Sequence, residues 1–472
     1  MAMETNTLFF NELREKDVSV VKAGDLDWED YTTTYNEVRS AVAAAGRHGL
    51  QVQARSGGHS YTSFSHGGRD GAVVVDLRHL QNIDVRHDHR LGCLGTFQAK
   101  VGGGRLAIPH GTCPSVGVGG HFTHGGYGHA SRAWGLAMDQ IVAMDVVLAN
   151  GNLVYTEAGI NPDLFFAMRG AAESFGIVVN FHLRLHRAPD ETIRWKYEFG
   201  DLIGDTGVQG AVSAMLELQK LVHDGSVVDR NLSFGVDLGE RRFGISGAYM
   251  GSSDDFEAKI EPAILRCFPK EPNKGIVWEE LAWLDNLRSQ AGGEPLLQKS
   301  SYKGRSNFFA KSVTVPEPGL SAAALTSYFE HIATISAPSC LEPEEEEEQN
   351  QPGWFAIMDL YGGADSQINN TARLFPDSYP HRDSLWVAQH YVFADEDKPF
   401  PASGLELAEG LNEAMTRHMD GRCAAYINYT DSSLSREQAH ALYYGDEVLD
   451  RLRTIKKRLD PRNVFAHPQS IV

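Results

Sequence analysis

RSGGHSY (55–61) and HGTCPSVGVGGHFTHGGYGH (110–129) are the two stretches on which the reading of this chain turns. The first sets two glycines and small polar groups directly after QVQAR (51–55), as a loop does when it frees backbone N–H groups for a pyrophosphate. Taken alone, it reads as an ordinary glycine turn. The second carries glycines at 111, 117, 119, 120, 125, 126 and 128, a density that calls for close approach of something flat or charged to the backbone. Its four histidines, His110, His121, His124 and His129, invite a metal reading. However, HxxH at 121–124 sits among glycines rather than on a helix face, and no carboxylate is spaced to complete a zinc shell, so no metal is expected. Cys113, taken alone, reads as an inert buried thiol.

Outward from these loops, NEVRSAVAAAGRHG (36–49) spaces Val38, Val42 and Ala45 as a helix, and QVQAR follows as a short buried strand. GAVVVDL (71–77), QIVAMDVVLANG (140–151) and GIVVNFHLRLH (176–186) read as strands, and PDLFFAMRGAAES (162–174) as a helix. The chain up to about residue 190 is thus mixed α/β. Beyond it, alternating strands such as LSFGVDL (232–238), FGISGAYMG (243–251) and FAIMDLYGG (355–363) are interrupted by helices such as VQGAVSAMLELQKLVHD (208–224). That pattern predicts a second, α+β domain. EPEEEEEQNQPG (342–353) reads as a solvated loop.

A chain of 472 residues is long enough for two lobes, and 42% hydrophobic residues supply their cores. The balance of 43 basic against 62 acidic residues, net −19, argues against nucleic acid as a partner. No stretch approaches the roughly 20 apolar residues that cross a bilayer, and no membrane partner is expected. The opening MAMETNTLFFNELREKDV has acids and amides where a secretion signal needs an apolar run. Five cysteines (Cys93, Cys113, Cys267, Cys340, Cys423) form no CxxC pair, and the odd count leaves at least one outside any intramolecular disulfide.

Together the two loops resemble the berberine-bridge-enzyme-like branch of the vanillyl-alcohol-oxidase/PCMH flavoprotein family. Its R-S-G-G-H-S-Y motif falls on Arg55, Ser56, Gly57, Gly58, His59, Ser60 and Tyr61. Its G-x-C-P-x-V-G-x-G-G-H motif falls on Gly111, Cys113, Pro114, Val116, Gly117, Gly119, Gly120 and His121. The resemblance implies FAD joined through its 8α-methyl to His59 and through C6 to Cys113. GGYGHASRAWGLAMDQIV (125–142) is similar to the family's flavin-contacting stretch and adds Gly126, Tyr127, Gly128 and Asp139. SFGIV (174–178) is similar to its N-F-G-I-V strand and adds Gly176, Ile177 and Val178. The C-terminal AAYINYTDSSL (424–434) and YYGDEVLDRLRTIKKRLDPRNVFAHPQSI (443–471) look like the berberine-bridge segment.

The implied fold is α+β and two-lobed. A PCMH-type FAD-binding domain has its first part at 1–192, and an antiparallel-sheet substrate domain covered by helices spans 193–423. A segment at 424–472 returns to the FAD-binding domain. Two covalent links let the cleft stay open, which suits a carbohydrate substrate and dioxygen. In the family's oligosaccharide oxidases a tyrosine of Y-x-N-Y removes the C1-hydroxyl proton, an aspartate assists, and a glutamine contacts the sugar. Those roles fall on Tyr429, with Tyr426 as the other candidate, on Asp359 and on Gln389. Tyr61 and Trp354 are expected to touch the substrate, Trp354 as one of the aromatic residues Trp354, Tyr361, Trp386 and Tyr391 that flank these positions. Read without the flavin motifs, Tyr426 and Tyr429 are ordinary strand residues on opposite faces.

The implied activity is oxidation of the reducing-end C1 hydroxyl to a lactone with release of hydrogen peroxide, by a secreted monomer. An oxidative cyclase of secondary metabolism and a dehydrogenase on the same fold are the alternatives. Two departures stand out. DWEDYTTTYNEVRSAV (27–42) runs into the first helix without the family's P-x-A-V-x-x-P strand, which implies an altered adenine side, and G-G-G-x-N-F-G is degraded to GAAESFG (170–176).

Overall fold

In a computed structural model of the chain, the described residues are 2–20, 34–88, 92–97, 106–273, 277–292, 295–296, 306–337, 351–370 and 375–472. The acidic run at 342–350, Cys340 and the first part (27–33) of the segment expected to lack the first strand lie outside them. Helix α1 (Ala2–Glu15) lays Phe9 and Leu13 against helix α2 (Tyr35–His48). The start of α2 is fixed by a capping box, in which Thr34 and Glu37 satisfy each other's backbone N–H groups. Its apolar stripe, Val38, Ala41, Val42 and Ala45, is buried as the helical spacing requires.

The chain then enters β1 (Val52–Arg55), paired parallel with β2 (Val73–Asp76). β3 (Ile83–Asp88), β4 (Gly92–Phe97), β6 (Ile141–Val147), β7 (Leu153–Glu157) and β8 (Ile177–Arg184) form a five-stranded antiparallel sheet in the order β3-β4-β8-β6-β7. A small pair joins β5 (Leu106–Ala107) to β9 (His186–Arg187). The expected helix at 162–174 is shorter: it ends at Met168, and 172–174 is a 3-10 turn.

The second sheet follows from strict alternation. In β10 (Glu191–Gly200), Ile193, Trp195, Tyr197 and Phe199 are buried on one face, so Arg194, Lys196 and Glu198 take the other. β11 (Leu232–Gly239), β12 (Arg242–Tyr249), β13 (Val277–Ala282), β14 (Asn307–Pro316), β15 (Gly353–Leu360) and β16 (Ser384–Ala394) complete seven antiparallel strands, ordered β13-β10-β12-β11-β15-β16-β14. Helices Leu202–Leu221, Ala322–Ile335 and Ala402–Thr416 cover the apolar face and bury Met215, Leu218, Phe329 and Leu411 against it. Each such side chain contributes about 1.5–3 kcal/mol when fully buried. The opposite face is left to polar chemistry.

Residues after 424 return to the first sheet. Ala425, Tyr426, Leu449 and Leu452 join the cluster that holds Phe122, Phe165 and Phe181. Phe465 bridges Val52 on β1. The buried Lys456 ammonium, on helix Gly445–Leu459, donates to Ser174 O (2.6 Å) and Phe465 O (2.8 Å) and pairs with Asp460 (2.7 Å). Lys311 on β14 does the same across the lobes, reaching Asp431 (2.7 Å) and Glu409 (2.9 Å). Among the described residues no helix is long and apolar enough to cross a membrane.

Candidate active site

The two glycine loops interlock. A Cβ on Gly57 would lie 2.6 Å from Ser115 O and collide with Gly117 N, and Ser56 Oγ accepts from Gly119 N (3.3 Å). Only glycines allow two backbones this close. The contact brings His59 and Cys113 onto adjoining turns. Cys113 is exposed, against the buried-thiol reading, and burial holds the His59 imidazole below its ordinary pKa, hence neutral. A neutral ring nitrogen and an accessible thiol are the two nucleophiles that a doubly linked flavin needs, and beside them the Cα of Gly120 faces open space. The residues present fit FAD.

The histidines of the second loop are absorbed by the fold. His121 Nε2 accepts from Gly111 N (3.0 Å), and burial pulls its pKa down to about 3. His129 bonds Ser233 (3.0 Å), and burial pulls its pKa down to about 4. Burial works against charge on His124 as well, yet its ion pair with Glu173 prevails and raises its pKa.

Tyr426 and Tyr429 lie not in a strand but in a turn closed by Tyr429 N to Tyr426 O (2.9 Å). Their rings meet edge to face at 5.1 Å. The Tyr426 hydroxyl is an anchor: it accepts from Gly126 N (2.9 Å) and Asn428 Nδ2 (2.9 Å), and so pins the positive-φ turn Gly125–Gly126. Ser312 on β14 accepts from Tyr426 N (3.0 Å), which fixes the turn to the second sheet. Tyr429 stacks on Tyr61 (5.4 Å, 15°), and among the described residues its hydroxyl makes no hydrogen bond. Burial raises its pKa well above the ordinary tyrosine value, and the neighbouring Tyr61 and Asp359 add to this.

Asp359 and Gln389 project from the polar face of the second sheet. Burial, with Asp237 behind it, raises the Asp359 carboxyl to about 7. Gln389 Nε2 donates to the Tyr61 hydroxyl (2.7 Å), and burial raises the Tyr61 pKa, with Cys113 among the groups that act on it. Tyr61 therefore links the cysteine loop to the sheet. Phe308, Phe355 and Tyr391 form an aromatic wall beside it: Tyr391 stacks on Phe308 at 4.6 Å and on Phe355 at 4.7 Å. Tyr127 stacks on Tyr361 (4.2 Å) and donates to Leu360 O (3.1 Å).

Several expected contacts fall elsewhere. Trp354 is one residue out of phase with Asp359 and packs with the helices on the opposite face, so it does not reach the cleft. Trp386 is buried there too and donates to Gln219 (3.3 Å). Asp139 spends its carboxylate on Arg382 (2.7 and 2.8 Å) and Leu136 N (2.8 Å), which makes it a latch for the loop rather than a wall of the cleft. The Ser60 hydroxyl accepts from Phe64 N (3.1 Å), and Ile177 and Val178 give their side chains to the core. Arg55 lies 3.6 Å from Asp76, and a Cβ on Gly128 would overlap the His110 carbonyl. A Cβ on Gly176 would crowd Val146 Cγ1 (2.5 Å). Phe308, Phe355 and Asp237 went unread; alternation within FAIMDLYGG sets Phe355 at the parity of Asp359, and LSFGVDL carries Asp237 at the parity opposite its apolar residues.

Residues 31–157 match the family described as FAD binding domain, and residues 425–472 that described as berberine and berberine like. The chain is 33% identical over 93% of its length, and 85% of the relative, to a xylooligosaccharide oxidase from Thermothelomyces thermophilus. It belongs to the berberine-bridge-enzyme-like FAD-linked oxidoreductases. A chitooligosaccharide oxidase structure superimposes with a TM-score of 0.87 at 27% identity, over 98% of this chain and 99% of that one. A glucooligosaccharide oxidase from Acremonium strictum, described with a 6-S-cysteinyl, 8α-N1-histidyl FAD, superimposes at 0.85 and 27% identity, covering 98% of each chain. The protein is thus an FAD-linked oxidoreductase acting on CH–OH groups.

Proposed function

We propose that this family member oxidises the reducing-end C1 hydroxyl of an oligosaccharide, with His59 and Cys113 as the two flavin anchors and Tyr429 as the base. The observation that carries it is the pair Tyr429–Asp359, two acidic groups with no hydrogen-bond partner among the described residues, facing Gln389, Tyr61 and the Cys113 turn. Tyr429 takes the C1-hydroxyl proton, and Asp359, with its elevated proton affinity, accepts a share of it. Gln389 and Tyr61 orient the sugar's hydroxyls, and the Tyr391–Phe355–Phe308 wall offers ring faces to a pyranose. Tyr429 is preferred to Tyr426 as base because the Tyr426 oxygen is already engaged by Gly126 N and Asn428 Nδ2, whereas the Tyr429 hydroxyl has no hydrogen-bond partner among the described residues. FAD held by His59 and Cys113 would supply the two-electron acceptor for the C1 hydride, with dioxygen as the final oxidant and a lactone and hydrogen peroxide as the products.

The division at 192/193 and 423/424 follows the same reading, with the FAD-binding domain split around the substrate domain. Its relatives' substrates also favour an extracellular place of work. The test has two stages. Acid-precipitated protein should stay yellow, and cellobiose, chitobiose or xylobiose should then release peroxide. A colourless pellet overturns the flavin anchors; a yellow protein that is silent on all sugars overturns the carbohydrate.

A further inference from the structure

β11 carries a second carboxylate beside the one already described. In the register of the sheet Asp359 on β15 faces Gly235, and Asp237 faces Ile357, so Asp237 and Asp359 are diagonal neighbours on one face. Gly235 has no side chain to separate them: a Cβ there would lie 3.0 Å from Asp359 Oδ1. On its other side Asp237 faces Gly244 of β12, so no side chain at the paired position screens the carboxyl. Asp237 also lines a groove of about 490 Å³ that runs past Thr112, Ser246, Arg194 and Arg242.

The groups around the pair decide its charge. Asp237 meets Ser246 Oγ (3.0 Å) and Arg242 from β12, and Lys196 and Glu198 from β10, which are themselves paired at 2.6 Å. Burial raises the Asp237 carboxyl, while Ser246, Arg242 and Lys196 favour its charged form. Among the described residues Asp359 has no cation of its own: Tyr127, Tyr361 and Tyr429 are the titratable groups that sense it, and Asp237 is the charge it senses. Two carboxylates sharing one face cannot both ionise freely.

We propose that Asp237 is a positioning residue for the oxidation, a fixed negative charge that keeps the proton relayed from Tyr429 on Asp359. It rests on the reading of Asp359 as the partner of Tyr429. As Tyr429 accepts the substrate's hydroxyl proton, its own proton passes to the Asp359 carboxylate, and the charge on Asp237 makes Asp359 the stronger acceptor.

The test uses the flavin-loaded enzyme with Asp237→Asn, Asp237→Glu and Asp359→Asn. The infrared carboxylic-acid C=O band that Asp359→Asn removes is titrated without substrate, and the pH profile of kcat/KM is measured beside it. In Asp237→Asn the band and the acid limb should both move to lower pH by roughly one unit, and Asp237→Glu should restore both. An unmoved band overturns the proposal, as does a rise in KM alone, which would make Asp237 only a wall of the groove. If no sugar reduces the flavin and the band still moves, the inference about Asp237 stands while the carbohydrate reading falls.

Discussion

The glycine loops and the polar face of the seven-stranded sheet solve opposite problems. The loops bring backbones together, and their specificity lies in side chains that are missing: Gly57 and Gly117 touch because neither has a Cβ. The sheet holds side chains apart at a fixed pitch, and its specificity lies in which of them are present at one parity, Asp237, Asp359 and Gln389. Damage to the first should cost the cofactor, and damage to the second should cost turnover.

The sharpest break of that division is Tyr429→Phe. It should lower kcat by about 10²–10⁴-fold, the usual worth of a positioned base, with flavin absorbance per protein unchanged; loss of colour would join the two regions into one. Next comes Gly117→Val, which drives a side chain into Ser56 and Gly57. Overpacking of this kind costs about 1–3 kcal/mol, and the thermal midpoint and flavin content should fall together.

Gln389→Ala should act more gently, raising KM about three- to tenfold, the worth of one net hydrogen bond, with colour and melting retained. Asp359→Asn is read on the pH dependence of stability rather than on turnover or colour. Its carboxyl titrates near 7 in the folded protein against an ordinary 3.8, so the fold binds that proton more tightly than the unfolded chain does. The stability it contributes is full below about pH 4 and is lost as pH rises through 7, so the asparagine variant should melt with a flatter dependence between those limits. A parallel curve would mean that Asp359 is solvated.

The same contrast explains what could be read in the sequence. RSGGHSY and GTCPSVGVGGH are contiguous, so although either loop alone reads as an ordinary turn or a buried thiol, the two together could be matched to a family pattern, and both anchors came with it. The sheet face is assembled from separate strands, with Asp237 and Asp359 more than a hundred positions apart. Its parity is written locally, yet which parity faces the cleft depends on the helices that cover the other side. Trp354 was misplaced for that reason: an aromatic next to the right strand is on the wrong face if it is one residue out of phase. The carboxylate of Asp139 likewise depended on Arg382, 243 positions away, which no local pattern announces.

The return of the chain after residue 424 sets an order of manufacture. Tyr426, which fastens the Gly125–Gly126 turn, and Phe465, which bridges Val52, are made after every other part of the flavin cleft. Domains fold as their residues emerge during synthesis, N-terminal first. Here the first loops must wait, unfastened, for a strap that is translated some three hundred residues later. Flavin capture at His59 and Cys113 is thereby tied to the docking of the segment that carries Tyr426 and Phe465.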